Sequence, residues 1–261
     1  MNLKSRKAHL TILICTYIGL SYHCVLGQDV AVINDPDGYV NIRQSPSLDS
    51  RVIGRIFNQD IFECAWLEGN SEWCRVSYGG QIPKSLKEME PYKRNFYVNE
   101  LHSTSDNIEI EGYVHSSRVI KIRSLPEIGV INLSANKRHL SIKNDSLVFE
   151  VLLSAFASSK HKIEKTPQGL RIDNLYPFGL ASDLPRIEIE NMTLQIREQR
   201  VEIPKSAYSN FFEFNLPSVK LFTDRKGVIY VVAFGSDGYT GYGVFWIFKD
   251  QKYLKTETET D

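Results

Sequence analysis

Between Val30 and about Ile122 the chain alternates short apolar stretches with turn signals, and this pattern constrains the fold more than any other feature. The segment 35–38 predicts a tight turn, because Pro36 fixes one backbone dihedral and Gly38 supplies a positive one. The apolar stretches alternate as half-buried strands do, and no helical period separates them. They lie at 39–43, 52–56, 61–64 and 73–76. Short strands of this kind predict a small barrel or sandwich.

The first 27 residues have the layout of a secretory signal peptide. Lys4, Arg6 and Lys7 form a basic segment, and an apolar run at 10–20 follows it. The residues at 25–27 suit a signal peptidase, so we expect cleavage after Gly27. The sequence therefore predicts a periplasmic or secreted protein.

Two alternatives to a cleaved product are less favoured. An uncleaved anchor is disfavoured because the apolar run is shorter than the roughly 20 residues that a membrane span needs. Lipidation at Cys24 is disfavoured because the bulky His23 precedes it, where a lipoprotein has a small residue. We therefore expect no stable membrane span after cleavage.

The charge of the expected product argues against general nucleic-acid binding. Removing the signal segment takes away three basic residues and no acidic one, which leaves 28 basic and 31 acidic side chains. A net charge near −3 does not provide the basic field on which nucleic-acid binding depends. The 234 remaining residues are enough for two small domains.

Two cysteines remain outside the signal segment, Cys64 and Cys74, and they flank a turn at 68–70. Counted outward from Gly69, they fall directly opposite each other in the predicted hairpin. Facing β-carbons in a hairpin lie about 4.5–5.5 Å apart, and a disulfide needs roughly 3.5–4.5 Å. Since exported proteins meet an oxidising compartment, the spacing favours a disulfide. Two small buried apolar side chains are the alternative, and two thiolates without a nearby His do not favour a metal site.

Four segments in order resemble the bacterial SH3-like domain. They are the stretches at 38–47, 52–54, 73–76 and 112–119. The resemblance covers about 90 residues and implies an SH3-like domain over residues 28–124. It departs from the family pattern between Tyr78 and Ile108, where a polar insertion replaces a tight connection.

The resemblance implies recognition of peptidoglycan, its stem peptides or a protein segment. Small SH3-like barrels offer an aromatic-lined groove that receives extended peptides. The candidate groove residues are Tyr39, Asn41, Arg43, Trp66, Trp73, Tyr113 and His115. For several of them a structural role is the alternative: Tyr39 and Tyr113 flanking the barrel, Trp73 packing on the hairpin, and Arg43 pairing with a carboxylate.

The second half of the chain is also rich in predicted strands. Residues 125–145 are a linker or the start of a second domain, and residues 146–255 predict a β-rich, sandwich-like domain. The combination with an SH3-like domain resembles exported bacterial proteins of Bacteroidetes type. Residues 204–212, with Pro204 in the first turn, predict a short helix. The predicted strands lie at 146–153, 170–173, 187–190, 194–197 and 201–203.

The C-terminal part has the clearest pattern. Two nearly continuous apolar stretches at 228–234 and 243–249 are joined by a glycine-rich loop. They predict a central hairpin buried on both faces. Residues 250–253 predict a turn into a final edge strand, and the tail at 256–261 is expected to be disordered.

No catalytic or metal-binding pattern occurs in the sequence, so we expect no enzyme activity, no metal and no cofactor. Neither of the two remaining cysteines opens a helix with a downstream His, as a papain-like wall peptidase requires. His161 and Glu164 have a spacing that recurs by chance, without a third metal ligand nearby. The loop at 235–238 lacks the spacing of a nucleophile elbow or a phosphate-binding loop.

Two classes of function remain. The first is an exported binding protein whose SH3-like groove recognises peptidoglycan or a peptide. The second is an immunity or inhibitor protein, in which the 79–107 insertion or the glycine-rich loop blocks a protein partner. An envelope enzyme with an unrecognised site in the second domain is a third, less favoured class.

Overall fold

The computed structural model describes residues 30–67, 70–81, 107–129, 132–167, 169–180 and 183–260. Strands dominate these ranges, and their helical segments are single 3-10 turns at Ser116–Arg118, Ile122–Ser124, Ser158–Lys160 and Lys205–Ala207. The mostly-β class, with a barrel followed by a sandwich-like second half, is therefore confirmed. The expected signal segment and most of the polar insertion lie outside the described residues.

Seven strands form the N-terminal barrel, in the sheet order β3-β2-β6-β5-β4-β1-β7. Their bounds are β1 Val30–Ile33, β2 Tyr39–Arg43, β3 Val52–Phe57, β4 Ile61–Leu67, β5 Asn70–Gln81, β6 Asn107–His115 and β7 Val119–Lys121. The predicted turn before β2 is present, with Gly38 at φ +82°. Ile42, Ile56 and Val114 are fully buried in the aliphatic core of the barrel.

The second half contains a five-stranded sheet with the order β14-β13-β10-β9-β8, and a separate hairpin of β11 and β12. The strand bounds are β8 Asn132–Ala135, β9 His139–Lys143, β10 Leu147–Ala155, β11 Ile163–Thr166, β12 Gly169–Ile172, β13 Ile187–Ile196 and β14 Gln199–Val201. On β10 the buried residues alternate with partly exposed ones, because one face of this sheet packs on a core and the other meets solvent.

The C-terminal sheet is antiparallel with the order β15-β16-β17-β18. Its strands are β15 Phe214–Thr223, β16 Ile229–Ser236, β17 Gly241–Lys249 and β18 Lys252–Thr260. Phe149, Leu194 and Trp246 belong to one buried cluster, which lies between the five-stranded sheet and one face of the β16–β17 hairpin. The second half is therefore a two-layered sandwich.

The opposite face of the β16–β17 hairpin packs against the barrel. Tyr230 and Ile247 on this face share a buried cluster with Val30, Val32 and other residues of the barrel side. On β1, Ala31 and Ile33 instead belong to the barrel core. The side chains of β1 thus alternate between two hydrophobic cores. The predicted burial of the β16–β17 hairpin on both faces is confirmed.

Two lysines of the C-terminal sheet bond to turns of the barrel. Lys226 Nζ lies 2.8 Å from the carbonyl oxygen of Asp35 and 3.1 Å from Asn58 Oδ1. Lys255 Nζ lies 2.8 Å from Asp60 Oδ1. Burial lowers the pKa of Lys255, but hydrogen bonds and charge from Asp60 and Glu257 outweigh it, so the pKa lies above its ordinary value. These bonds fix the barrel on the sheet at two separate points.

Two expectations about the second half are wrong. The tail was expected to be disordered, but Thr256–Thr260 extends β18 and pairs with β17, for example Tyr242 with Thr260. Alternating Thr and Glu suits an edge strand. One side of such a strand forms backbone hydrogen bonds with its neighbour, here β17, and the other side faces water. The short helix expected at 204–212 is only the 3-10 turn at Lys205–Ala207, with Pro204 preceding it as the cap residue.

We predict that Ile247→Ala destabilises the barrel as well as the C-terminal sheet. Ile247 is fully buried in the cluster between them, so its truncation should cost about 2–5 kcal/mol. Native-state hydrogen exchange of β1 and β16 amides measures both parts. Leu254→Ala, at a side chain that is 40% exposed, is the control and should change stability little. Unchanged protection of β1 in the Ile247 variant would contradict the coupling.

Candidate functional site

The alternation of β2 divides its side chains between the barrel core and the outside. Val40 and Ile42 are buried in the core, whereas Tyr39, Asn41 and Arg43 point outward and are half-buried. Three of the predicted groove residues therefore share one strand face, as a two-residue period requires.

Cross-strand register extends this face over three more strands. Tyr39 pairs with Phe57 and Asn41 with Arg55 on β3, while Arg43 pairs with Tyr113 on β6. Further along the sheet, β5 pairs Arg75 with Tyr113 and Trp73 with His115. Directly paired residues lie on the same face of a sheet. We call this surface the outer sheet face and define it by Tyr39, Asn41, Arg43, Arg55, Phe57, Arg75, Tyr113 and His115.

One end of the outer sheet face is built from two aromatic rings and an arginine. The Arg55 guanidinium carbon lies 4.6 Å from the Tyr39 ring centroid, and Arg55 Nε donates to Asn41 Oδ1 at 3.2 Å. The rings of Tyr39 and Phe57 are 6.4 Å apart, and Phe57 is 53% exposed. Sequence reasoning missed Arg55 and Phe57, although pairing the 39–43 and 52–56 strands as a hairpin would have indicated them.

The centre of the outer sheet face depends on a close approach between β2 and β6. A Cβ added to Gly112 would lie 2.5 Å from Ile42 Cγ2 and 2.7 Å from the Arg43 carbonyl oxygen. Only glycine allows this spacing, which sets Arg43 beside Tyr113. Arg43 is oriented further by a hydrogen bond from Nη1 to the Ser50 carbonyl oxygen, at 2.7 Å.

Trp73 and His115 lie at the other side of the centre. Trp73 is only 5% exposed, and its ring meets the edge of the His115 ring with centroids 5.2 Å apart. His115 Nδ1 accepts from the Ser117 backbone amide at 3.3 Å and lies 2.8 Å from Ser117 Oγ. The His115 side chain thereby caps the following 3-10 turn. Trp73 therefore packs beside His115 and presents little of its ring to solvent.

Trp66 lies on the opposite side of the sheet from the other six predicted residues. It pairs with Cys74, which is fully buried, and it packs against the barrel core on that side. The Lys121 ammonium lies 4.3 Å from its ring centroid. The expectation of one groove with all seven residues is thus wrong for Trp66, because the two-residue alternation of β4 places Trp66 on the same side as the buried Phe62 and Cys64.

The predicted disulfide between Cys64 and Cys74 is present, with a Cα–Cα distance of 5.7 Å. The two residues are not directly opposite, however: Cys64 pairs with Val76, and Cys74 pairs with Trp66. They are diagonal neighbours on the core side, because the same bulge shifts the register by the turn. The disulfide therefore ties β4 to β5 within the barrel core, beneath the outer sheet face.

Sequence reasoning also missed a cluster of ionisable side chains beside the β11–β12 hairpin. His161 Nδ1 lies 2.7 Å from Asp173 Oδ2, and Nε2 lies 2.9 Å from Glu188 Oε2. The His161 ring stacks on Phe156 with centroids 4.6 Å apart. Since each ring nitrogen faces a carboxylate, His161 ties the hairpin to β13 and offers no free nitrogen to a metal or a substrate. Because His161, Asp173 and Glu188 are far apart in the sequence, no local sequence pattern indicated this cluster.

The described residues contain neither a metal-binding cluster nor a membrane-crossing helix. No group of three or more His, Cys, Asp or Glu side chains in these ranges is arranged to hold a metal ion. Likewise, no helix in the part of the chain that the structure describes has the length and apolar character to cross a bilayer.

We predict that Gly112→Ala destabilises the barrel by roughly 1–3 kcal/mol, because the added methyl group forces β2 away from β6. Chemical denaturation followed by tryptophan fluorescence measures the change. Gly129→Ala is the matched control, since nothing lies within 4 Å of a Cβ added there. Equal stability of the two variants would show that β2 and β6 do not need the close approach.

We predict that acid loosens the β11–β12 hairpin. Hydrogen bonds from His161 and then from the Lys162 amide lower the pKa of Asp173 below its ordinary value of 3.8. A carboxyl group whose pKa is lower in the folded state adds stability above pH 3.8, and that stability is lost as the pH falls through the lowered value. Hydrogen exchange of hairpin amides, corrected for intrinsic rates, measures this. Asp173→Asn should exchange faster at neutral pH and lose the acid dependence, unlike the exposed Asp183→Asn.

Comparison with known proteins supports the family resemblance of the barrel. The family model described as "Bacterial SH3 domain" matches residues 38–82, which begin just before β2 and extend through β5. Neither the curated proteins nor the solved structures gave a match. The strands β1, β6 and β7 complete the barrel around the matched segment. The N-terminal barrel of this chain is therefore a bacterial SH3 domain, a class of domain that generally serves as a binding module.

Proposed function

We propose that this chain is an exported, non-catalytic binding protein whose bacterial SH3 domain recognises cell-wall peptidoglycan through the outer sheet face. The observation that carries the proposal is the position of this face relative to the rest of the molecule. The barrel packs on the C-terminal sheet through the outward residues of β1, including Val30 and Val32. The outer sheet face belongs to β3, β2, β6 and β5, so among the described residues the C-terminal sheet does not cover it.

The chemistry of the outer sheet face suits a peptide-bearing ligand. Tyr39, Tyr113 and His115 are half-buried, so each has a fixed ring with one accessible part. Aromatic side chains of this kind bury a large area on binding at a small cost in conformational entropy. Asn41 and the arginines provide hydrogen-bond donors between the rings, as recognition of an extended backbone requires.

Two observations support export. The first 27 residues have the basic, apolar and small-residue layout of a secretory signal. The disulfide between Cys64 and Cys74 is the second, because structural disulfides form and persist in oxidising compartments. A periplasmic or secreted location would bring the barrel into contact with the wall.

A second candidate function, inhibition of or immunity to a protein partner, is favoured by the β16–β17 loop. Tyr239 at its tip is 92% exposed. Asp237 Oδ1 accepts from the amides of Tyr239 and Thr240 at 2.8 and 2.9 Å, so the backbone at the tip of the loop has a defined conformation. An exposed aromatic side chain on a structured loop is typical of protein–protein contacts.

We expect the cleaved protein to co-sediment with purified peptidoglycan sacculi. Tyr39→Ala and Tyr113→Ala should each weaken retention roughly 5- to 30-fold, as the loss of an aromatic anchor does. Tyr176→Ala, on a second-half side chain that is 45% exposed, is the matched control and should bind as the wild type. Circular dichroism of each variant checks the fold.

Absence of the wild type from the sacculi pellet would contradict wall recognition. Capture of a protein partner that Tyr239→Ala abolishes and Tyr39→Ala leaves unchanged would favour the second candidate instead.

A further inference from the structure

We infer that the outer sheet face reads carboxylate groups, and that Arg43, Arg55 and Arg75 are the residues that bind them. This inference rests on the proposed function and names the chemistry of its ligand: an extended cell-wall stem peptide bound through its carboxylates.

Register places the three arginines on one surface. Arg43 and Arg75 both pair with Tyr113, so they flank this ring from the two strands on either side of β6. Neighbouring strands lie about 4.7–4.9 Å apart, so the Cα atoms of Arg43 and Arg75 are separated by about 10 Å. Arg55 lies on the far side of β2 and pairs with Asn41.

The spacing suits an extended peptide that crosses the strands. An extended chain rises about 3.3–3.6 Å per residue, so carboxylates about three residues apart would reach Arg43 and Arg75 together. The Tyr113 ring would lie under the residues between them. Arg55 and the adjoining Tyr39 and Phe57 rings would receive the next part of the chain.

Among the described residues, the contacts of Arg43 and Arg55 orient their guanidinium groups without cancelling their charge. Arg43 donates to the Ser50 carbonyl oxygen and Arg55 to the Asn41 amide oxygen, and both oxygens are neutral. Arg75 is exposed. A guanidinium group carries five N–H donors in a planar fork, so one contact to the protein leaves donors for a bidentate carboxylate.

In the described part of the sheet, acidic side chains lie in the row next to Arg75 rather than in the row that Arg43 and Arg75 share. Ser77 on β5 pairs with Glu111 on one side and with Glu63 on the other. The positive charge is thus concentrated in the middle of the face and bounded by carboxylates at one edge. An anionic ligand is attracted to the middle and repelled from this edge, which restricts where it lies.

The test compares binding to untreated sacculi with binding to sacculi whose carboxyl groups have been converted to methylamides. The expected product has a net charge near −3, so a general charge effect would strengthen its binding when the sacculi lose negative charge. We expect the opposite, a loss of at least about tenfold in wild-type affinity, because a methylamide has no charged oxygen to form charge-assisted hydrogen bonds with the guanidinium groups.

Arginine variants identify the residues responsible. Arg55→Gln and Arg75→Gln should each weaken binding to untreated sacculi about 5- to 10-fold and bind the methylamide sacculi as the wild type does. Arg75→Lys should restore binding only in part, because lysine has the charge without the fork. Arg200→Gln, at an exposed arginine on β14, is the control and should leave binding unchanged.

The outcomes separate this inference from the proposed function. Equal wild-type binding to both kinds of sacculi would overturn carboxylate recognition while peptidoglycan binding stands. Loss of binding on amidation, with both glutamine variants unaffected, would overturn the assignment to the arginines. No binding to either preparation would overturn the proposed function and this inference with it.

Discussion

The structure depends on the burial of one hairpin on both of its faces. Trp246 and Phe248 of β17 face the five-stranded sheet, while Phe245 and Ile247, which alternate with them, face the barrel. Each large apolar side chain contributes roughly 1.5–3 kcal/mol when fully buried, so both interfaces gain from the same few residues. Neither the barrel nor the five-stranded sheet could be removed without exposing one face of this hairpin.

This arrangement makes the barrel a fixed part of the molecule rather than a module on a flexible linker. Residues 125–128 do not form a free linker either, since Ile128 N donates to the Leu221 carbonyl oxygen and Thr223 N to the Pro126 carbonyl oxygen. Asp60 completes the attachment by accepting from both Lys255 and Tyr78. The outer sheet face is thus held in one orientation relative to the second half.

Much of this fold could be predicted from the sequence because its signals are local. Pro36 and Gly38 define a turn, and the glycine-rich loop between two apolar stretches defines a hairpin. The pairing partner of Cys64 could not be predicted, since one bulge in β4–β5 decides it and bulges leave little trace in composition. The cluster of His161, Asp173 and Glu188 was equally hidden, because only the tertiary fold brings these residues together.

The two outer strands of the C-terminal sheet are both poor templates for a further strand. β18 ends in alternating Thr and Glu, and charged side chains along an edge oppose the addition of another chain. β15 contains Pro217 within a wide break in its pairing, between Asn215 and Lys220, and a proline offers no amide to an incoming strand. A sheet this apolar could otherwise add strands edge to edge and grow into fibres. The alternating threonine and glutamate residues of β18 are one of the features that prevent this growth.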